Sequence, residues 1–157
     1  IFVFLSSMEI KKIIFIFLLA SCGYSPMLST MDNKVLNIEV VGHEGDKEIN
    51  QVLRSKFKIH RNENEELIKI SINSSYKKKD LSKNLTGKVE DYKIKATTSF
   101  IVSRNKNEKN FSFSEEYTIK NFDDDFEERN YEKKIRRNVA NINYQKLILQ
   151  LYKLNDL

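Results

Sequence analysis

The chain has 157 residues, a formal charge of +5, 40% hydrophobic and 11% aromatic side chains. That length suits one domain with a single core, and that apolar content excludes wholesale disorder. One cysteine cannot build a disulfide framework, so the fold must stand on its core.

The first patterned stretch runs from Met8 to Cys22. It has a short basic start at Lys11 and Lys12, an apolar run from Ile13 to Leu19, and Ala20-Ser21 before the lone cysteine. This is the layout of a secretory signal peptide. Leu19-Ala20-Ser21-Cys22 also matches the bacterial lipobox, in which the cysteine is acylated and becomes the mature N-terminus. A membrane span needs about 20 apolar residues; extending the run back to Ile1–Leu5 crosses Glu9, Lys11 and Lys12. Residues 1–21 are therefore expected to be a removed signal peptide, with translation starting at Met8 and a covalent lipid on Cys22. What remains carries about +4. In the cytosol that balance would suggest nucleic acid. An exported protein meets phosphorylated lipid surfaces instead, and no nucleic-acid partner is expected.

Residues 22–34 hold the only proline and no sustained period, and read as a tether to a domain at 35–157. Val35 to Gly42 alternates, with Leu36, Ile38 and Val40 on one face: a strand. His43 to Gly45 is turn-like, and Asp46 is placed to cap a helix to Lys58 with Ile49, Val52, Leu53 and Phe57 on its apolar side. Leu67 to Tyr76 alternates again around Ile68, Ile70 and Ile72. Lys77 to Glu90 is lysine-rich and polar with Gly87 as a breaker, and reads as a connection. Tyr92 to Ser103 is the clearest strand, with Ile94, Ala96, Thr98, Phe100 and Val102 on one face. Arg104 to Lys109 is a hairpin loop, followed by a strand at Phe111–Asn121.

A long helix follows Asp123-Asp124-Asp125, with Asp125 and Glu128 at capping-box spacing and Ile135, Val139 and Ile142 as its stripe. Its last part is apolar all round, at Tyr144, Leu147, Ile148, Leu149, Leu151, Tyr152 and Leu154. Such a helix is buried on more than one side. Tyr144, Leu147, Ile148, Leu151 and Tyr152 are either core against the sheet or a partner-binding face. The order β-α-β-β-β-α predicts an α+β domain: a four-stranded, mostly antiparallel sheet with two helices on one face. The first helix is expected to join parallel neighbours.

No Gly-x-Ser-x-Gly elbow, His-Glu-x-x-His or phosphate-binding glycine loop occurs. His43 and His60 lie near loops with no cysteine beside them, and Asp123–Asp125 suit a helix start, so no metal, cofactor or enzymatic activity is expected. The cations Lys77, Lys78, Lys79, Lys83 and Lys88, with Arg129, Lys133, Lys134, Arg136 and Arg137, are either a solvated face or a phosphate-reading edge.

Cys22-Gly23-Tyr24, the block Leu85-Thr86-Gly87-Lys88-Val89-Glu90-Asp91-Tyr92, and the strand Phe111-Ser-Phe-Ser-Glu-Glu-Tyr117 before an acidic turn and terminal helix resemble the LPS-assembly lipoprotein LptE family. The resemblance covers essentially the whole chain after Cys22. It implies a non-enzymatic outer-membrane lipoprotein that plugs the LptD β-barrel, assists its assembly and binds lipopolysaccharide. The family's lipopolysaccharide contacts are basic residues near the hairpin before the long strand and near the start of the last helix. Lys83 and Lys88 flank the first region here and Arg129 falls in the second, whereas the positions just before Gly87 carry Asn84 and Leu85, neither basic. Gly23, in place of an aspartate, agrees with outer-membrane sorting and a domain within the barrel lumen on the periplasmic side. The competing reading is a stand-alone periplasmic lipoprotein that binds a lipid or small ligand.

Overall fold

A computed structural model describes residues 36–155 apart from 61, 63 and 106. The signal stretch, the lipobox with Cys22 and the tether lie outside these residues. The chain divides between Asn33 and Lys34, and everything below concerns the second unit.

Strand β1 (Asn37–Gly45) runs parallel to β2 (Leu67–Lys83), pairing Ile38 with Ile68 and Val40 with Ile70. Helix α1 (Lys47–Phe57) makes the crossover. Asp46 caps it: its Oδ1 accepts from the backbone N–H groups of Glu48 (3.1 Å) and Ile49 (3.0 Å), two of the helix's orphan donors. The corner before the cap admits only glycine. Gly45 has φ +94°, and a Cβ there would lie 1.7 Å from the Ser74 carbonyl oxygen. His43 to Gly45, expected as a turn, instead extend β1 because they pair with Ile72 to Ser74.

β2, β3 (Val89–Arg104) and β4 (Asn107–Lys120) form an antiparallel meander, so the sheet order is β1-β2-β3-β4. The expected polar connection from Lys77 is mostly strand. β2 continues to Lys83 and β3 begins at Val89, leaving a short turn around Gly87. Charge alone suggested a loop, but a lysine fits a strand when its alternate face meets water or an acidic helix. The β3–β4 loop is likewise shorter than expected.

Helix α2 (Asp125–Asn155) crosses the same face as α1. Its cap is Asp124, not Asp125: Asp124 Oδ1 accepts from Phe126 N (2.6 Å), and its carbonyl accepts from Glu128 N (3.0 Å). The capping-box reading chose the residue one place too late in an all-aspartate run. The stripe is also shifted. Ile135 and Val139 are buried as expected, but the next inward residue is Asn143, with Ile142 half-buried beside it. Asn143 Nδ2 donates to Thr98 Oγ1 on β3 (3.0 Å), a polar lock that periodicity of apolar residues cannot reveal.

The core lies between the helices and the inner face of the sheet. Phe100 is fully buried, edge-on to Phe57 of α1 (6.2 Å between centroids) and tilted against Phe113 of β4 (6.1 Å). Ile49, Leu53, Ile70, Ile94, Val139 and Leu147 are fully buried in the same core. Each such side chain contributes about 1.5–3 kcal/mol by leaving water. The outer face is polar, with hydroxyl pairs Thr97–Ser114 (3.1 Å) and Ser99–Ser112 (3.0 Å) across β3 and β4.

Candidate anion-binding site at the hairpin end of the sheet

The β2–β3 turn is organised by one asparagine. Asn84 Oδ1 accepts from Thr86 N (3.0 Å), Thr86 Oγ1 (2.7 Å) and Lys88 N (2.9 Å), and the Asn84 carbonyl accepts from Gly87 N (2.9 Å). Gly87 takes φ +83°, a left-handed conformation in which glycine carries no penalty. The end of β4 is tied to this turn through Asn121, whose Nδ2 donates to the Val89 carbonyl (2.9 Å) and whose N–H donates to that of Glu90 (2.7 Å). The start of α2 is thereby held beside the hairpin, and Lys88 Nζ reaches Asp123 at 3.5 Å.

These residues frame a groove of about 470 Å³ whose charged lining is Lys88 and Lys120 with Glu90, Asp91 and Asp123. Lys83, at the end of β2, pairs with Asp80 (3.1 Å). Both lysines are more than half exposed, and such pairs are worth at most about 1 kcal/mol. Arg129 is exposed one turn into α2, and among the described contacts none joins it to Lys83 or Lys88. The hairpin and the helix start are neighbours through Lys88 and Asp123.

The other cations separate into distinct groups. Lys78 points inward, over the Tyr92 ring (3.9 Å), and its ammonium meets Glu128 and Glu132 of α2. Arg136 donates to Asp46, the α1 cap, and to Glu132 (3.0 and 3.1 Å) and stacks on Tyr76 (3.7 Å). Burial, then the Glu132 charge, pushes the Tyr76 phenol far up, so it stays protonated. Lys78 and Arg136 thus latch α2 onto β2 and α1 and are not available to a ligand. Lys133 and Arg137 lie within 3.9 and 3.5 Å of Glu48 on α1. Their acidic partners sit on other elements, so sequence neighbourhood gave no sign of them.

Of the candidate partner-facing residues, Leu147, Ile148, Leu151 and Tyr152 are buried within the chain. Tyr144 is half-buried: its ring packs on Phe57 (5.3 Å) and its hydroxyl meets His60 Nε2. Burial, then the neighbouring Tyr152, raises the Tyr144 phenol, and burial lowers the His60 imidazole. Their placement is that of core against the sheet. Among the described residues no group of three or more His, Cys, Asp or Glu is placed to hold a metal ion, and no helix is long and apolar enough to cross a membrane.

No protein-family model and no curated protein matches the sequence. Solved structures do. Rare lipoprotein B from Shewanella oneidensis matches with a TM-score of 0.55 at 15% identity, over 74% of this chain and 99% of that one. The chain has the rare lipoprotein B fold. A minor lipoprotein from Acinetobacter baumannii (TM-score 0.50, 10% identity, 72% of this chain and 92% of that one) shares it. So does lipoprotein B from Nitrosomonas europaea, determined in solution (0.50, 16%, 73% and 86%). This is the fold expected from the resemblance to the LptE family. At such identities the likeness concerns the rare lipoprotein B backbone, and individual side chains are read from this chain alone.

Proposed function

We propose that the chain is a non-enzymatic, lipid-anchored outer-membrane protein that plugs an LptD-type β-barrel, assists its assembly and binds lipopolysaccharide during delivery. The observation that carries this reading is the rare lipoprotein B fold, which spans 99% of one lipoprotein structure, in a chain whose sequence places a lipobox ahead of that domain. Cys22 carries the lipid, and residues 22–34 lead from it to the domain. Acyl chains contribute roughly 0.8 kcal/mol per buried methylene, so anchoring leaves the domain surface free for the barrel. At the hairpin end, Lys83 and Lys88 exchange their exposed carboxylate partners for the phosphates of lipopolysaccharide, and Arg129 adds charge from the side of α2. Asn84 and Leu85, neither basic, stand where the resemblance would place a basic residue, which shifts the phosphate contact toward Lys88.

The test is co-purification after detergent extraction of native membranes, with mass spectrometry of the N-terminal peptide. The expected result is recovery of a large β-barrel together with an acylated Cys22. Recovery of the acylated chain alone, carrying bound acyl lipid, sinks the plug in favour of a stand-alone carrier.

A further inference from the structure

The outer face of the β2–β3 hairpin carries lysines placed against one another. Lys77 lies directly opposite Lys95, and Lys79 directly opposite Lys93. Residues paired in this way have Cβ atoms roughly 5 Å apart, and successive same-face residues on a strand are roughly 7 Å apart. Four lysines therefore rise from a patch roughly 5 by 7 Å at their Cβ atoms, an arrangement of like charges that weakens strand pairing. Among the described residues only Glu116 of β4 pairs with them, within 2.8 Å of Lys93 and 3.6 Å of Lys95. The Lys93 ammonium holds its carboxyl below the usual range, so it stays charged. Lys77 and Lys79 are exposed and have no acidic partner among the described residues.

Of the nearby carboxylates, Asp80 pairs with Lys83 and Asp123 with Lys88, while Asp91 accepts only from the neutral Ser82 hydroxyl (2.6 Å) and Glu90 is exposed. At the end of the same hairpin two leucines face water. Leu81, at the β2 bulge, is 52% exposed, and Leu85 is fully exposed at the tip of the turn that Asn84 pins. Scattered exposed leucines need no explanation. A leucine at the tip of the turn that closes the same two strands as a lysine quartet has the composition of an interfacial membrane contact.

We propose that this face docks on an anionic lipid bilayer, with Lys77, Lys79, Lys93 and Lys95 against headgroup phosphates and Leu85 entering the interface. The four charges spread across an open sheet face and do not converge in a pocket, which fits a surface presenting many phosphates. Four lysines against Glu116 and Asp91, which lies two residues before Lys93 on the same face, leave the patch at a formal net +2, complementary to such a surface. Each lysine near an anionic leaflet raises surface affinity about fivefold. The inference needs no β-barrel partner and stands apart from the plug reading.

The chain contains no tryptophan, so Leu85→Trp introduces a unique reporter. The full chain with this change is reconstituted on vesicles of phosphatidylcholine alone or mixed with phosphatidylglycerol. Expected are a blue shift of the indole emission and quenching by lipids brominated on their acyl chains, on the anionic vesicles only. Lys77→Glu with Lys79→Glu in the same background removes both signals, as does 1 M salt, where the Debye length is about 3 Å. Circular dichroism melts verify that the variant folds, and Lys77→Gln with Lys79→Gln replaces it should it not. An indole that stays water-exposed on anionic vesicles, shifts equally on neutral ones, or keeps its shift after charge reversal overturns the proposal. Because the vesicles hold no barrel, none of these outcomes bears on the plug.

Discussion

Lys78 and its neighbours Lys77 and Lys79 share one strand and meet opposite surroundings. Lys78 turns inward, packs on Tyr92 and is held by two glutamates of α2. Lys77 and Lys79 turn outward and face Lys95 and Lys93. The same residue type is a latch on one face and a repelling pair on the other. What decides is the partner that the fold brings opposite, because a charge gains or costs according to what stands within a few ångströms of it. The inner face is also where the helices exclude water, so changes there are felt far more than changes outside.

The contrast is tested most strongly at Phe100 and Ile101, adjacent in β3 on opposite faces. Phe100→Ala is expected to cost about 3–5 kcal/mol, because Phe57 and Phe113 cannot fill the space. Ile101 is 43% exposed, and Ile101→Ala should cost under about 1 kcal/mol. Urea midpoints measure both, and equal losses would mean that the sheet is not covered on one side only.

Next in size is the latch. Arg136→Met leaves the part-buried Asp46 carboxylate without its cation and Glu132 with Lys78 alone, and should cost about 2 kcal/mol. Lys133→Met removes only an exposed contact with Glu48 and should stay within about 0.5 kcal/mol. A thermal-melt comparison of the two separates an inner ion pair from a surface one. On the outer face the sign reverses: Lys77→Glu places an opposite charge across from Lys95 and should stabilise by about 0.2–1 kcal/mol. A loss of stability there would show that the lysine pairs do not repel.

The last effect depends on pH. Burial lowers the His60 pKa in the folded state, so the unfolded chain binds the proton at higher pH. Stability is then full above about 6.5, the ordinary histidine value, and falls as pH drops below it. His60→Asn should flatten that part of the stability curve, and an unchanged slope would remove His60 as its source.

Much of this was legible in the chain itself. Ile68, Ile70 and Ile72, like Ile94 to Val102, alternate because a strand exposes successive residues to opposite faces, so the element order and the inner face follow from spacing alone. The Asp46 cap was readable for the same reason: its hydrogen bonds span three residues. The hairpin end was only half legible. Lys88 was found, but its partner Asp123 lies 35 positions away across a strand pairing.

Local periodicity therefore determined the order of strands and helices, and which side of each strand is apolar. Tertiary structure decided the rest. It chose Asn143 over Ile142 as the inward residue of α2 by offering it Thr98, and placed Leu147, Ile148, Leu151 and Tyr152 in the core. It also divided one run of lysines into an inner latch and an outer patch. Periodicity is a property of neighbours along the chain, whereas burial and charge pairing depend on what the fold places across from them.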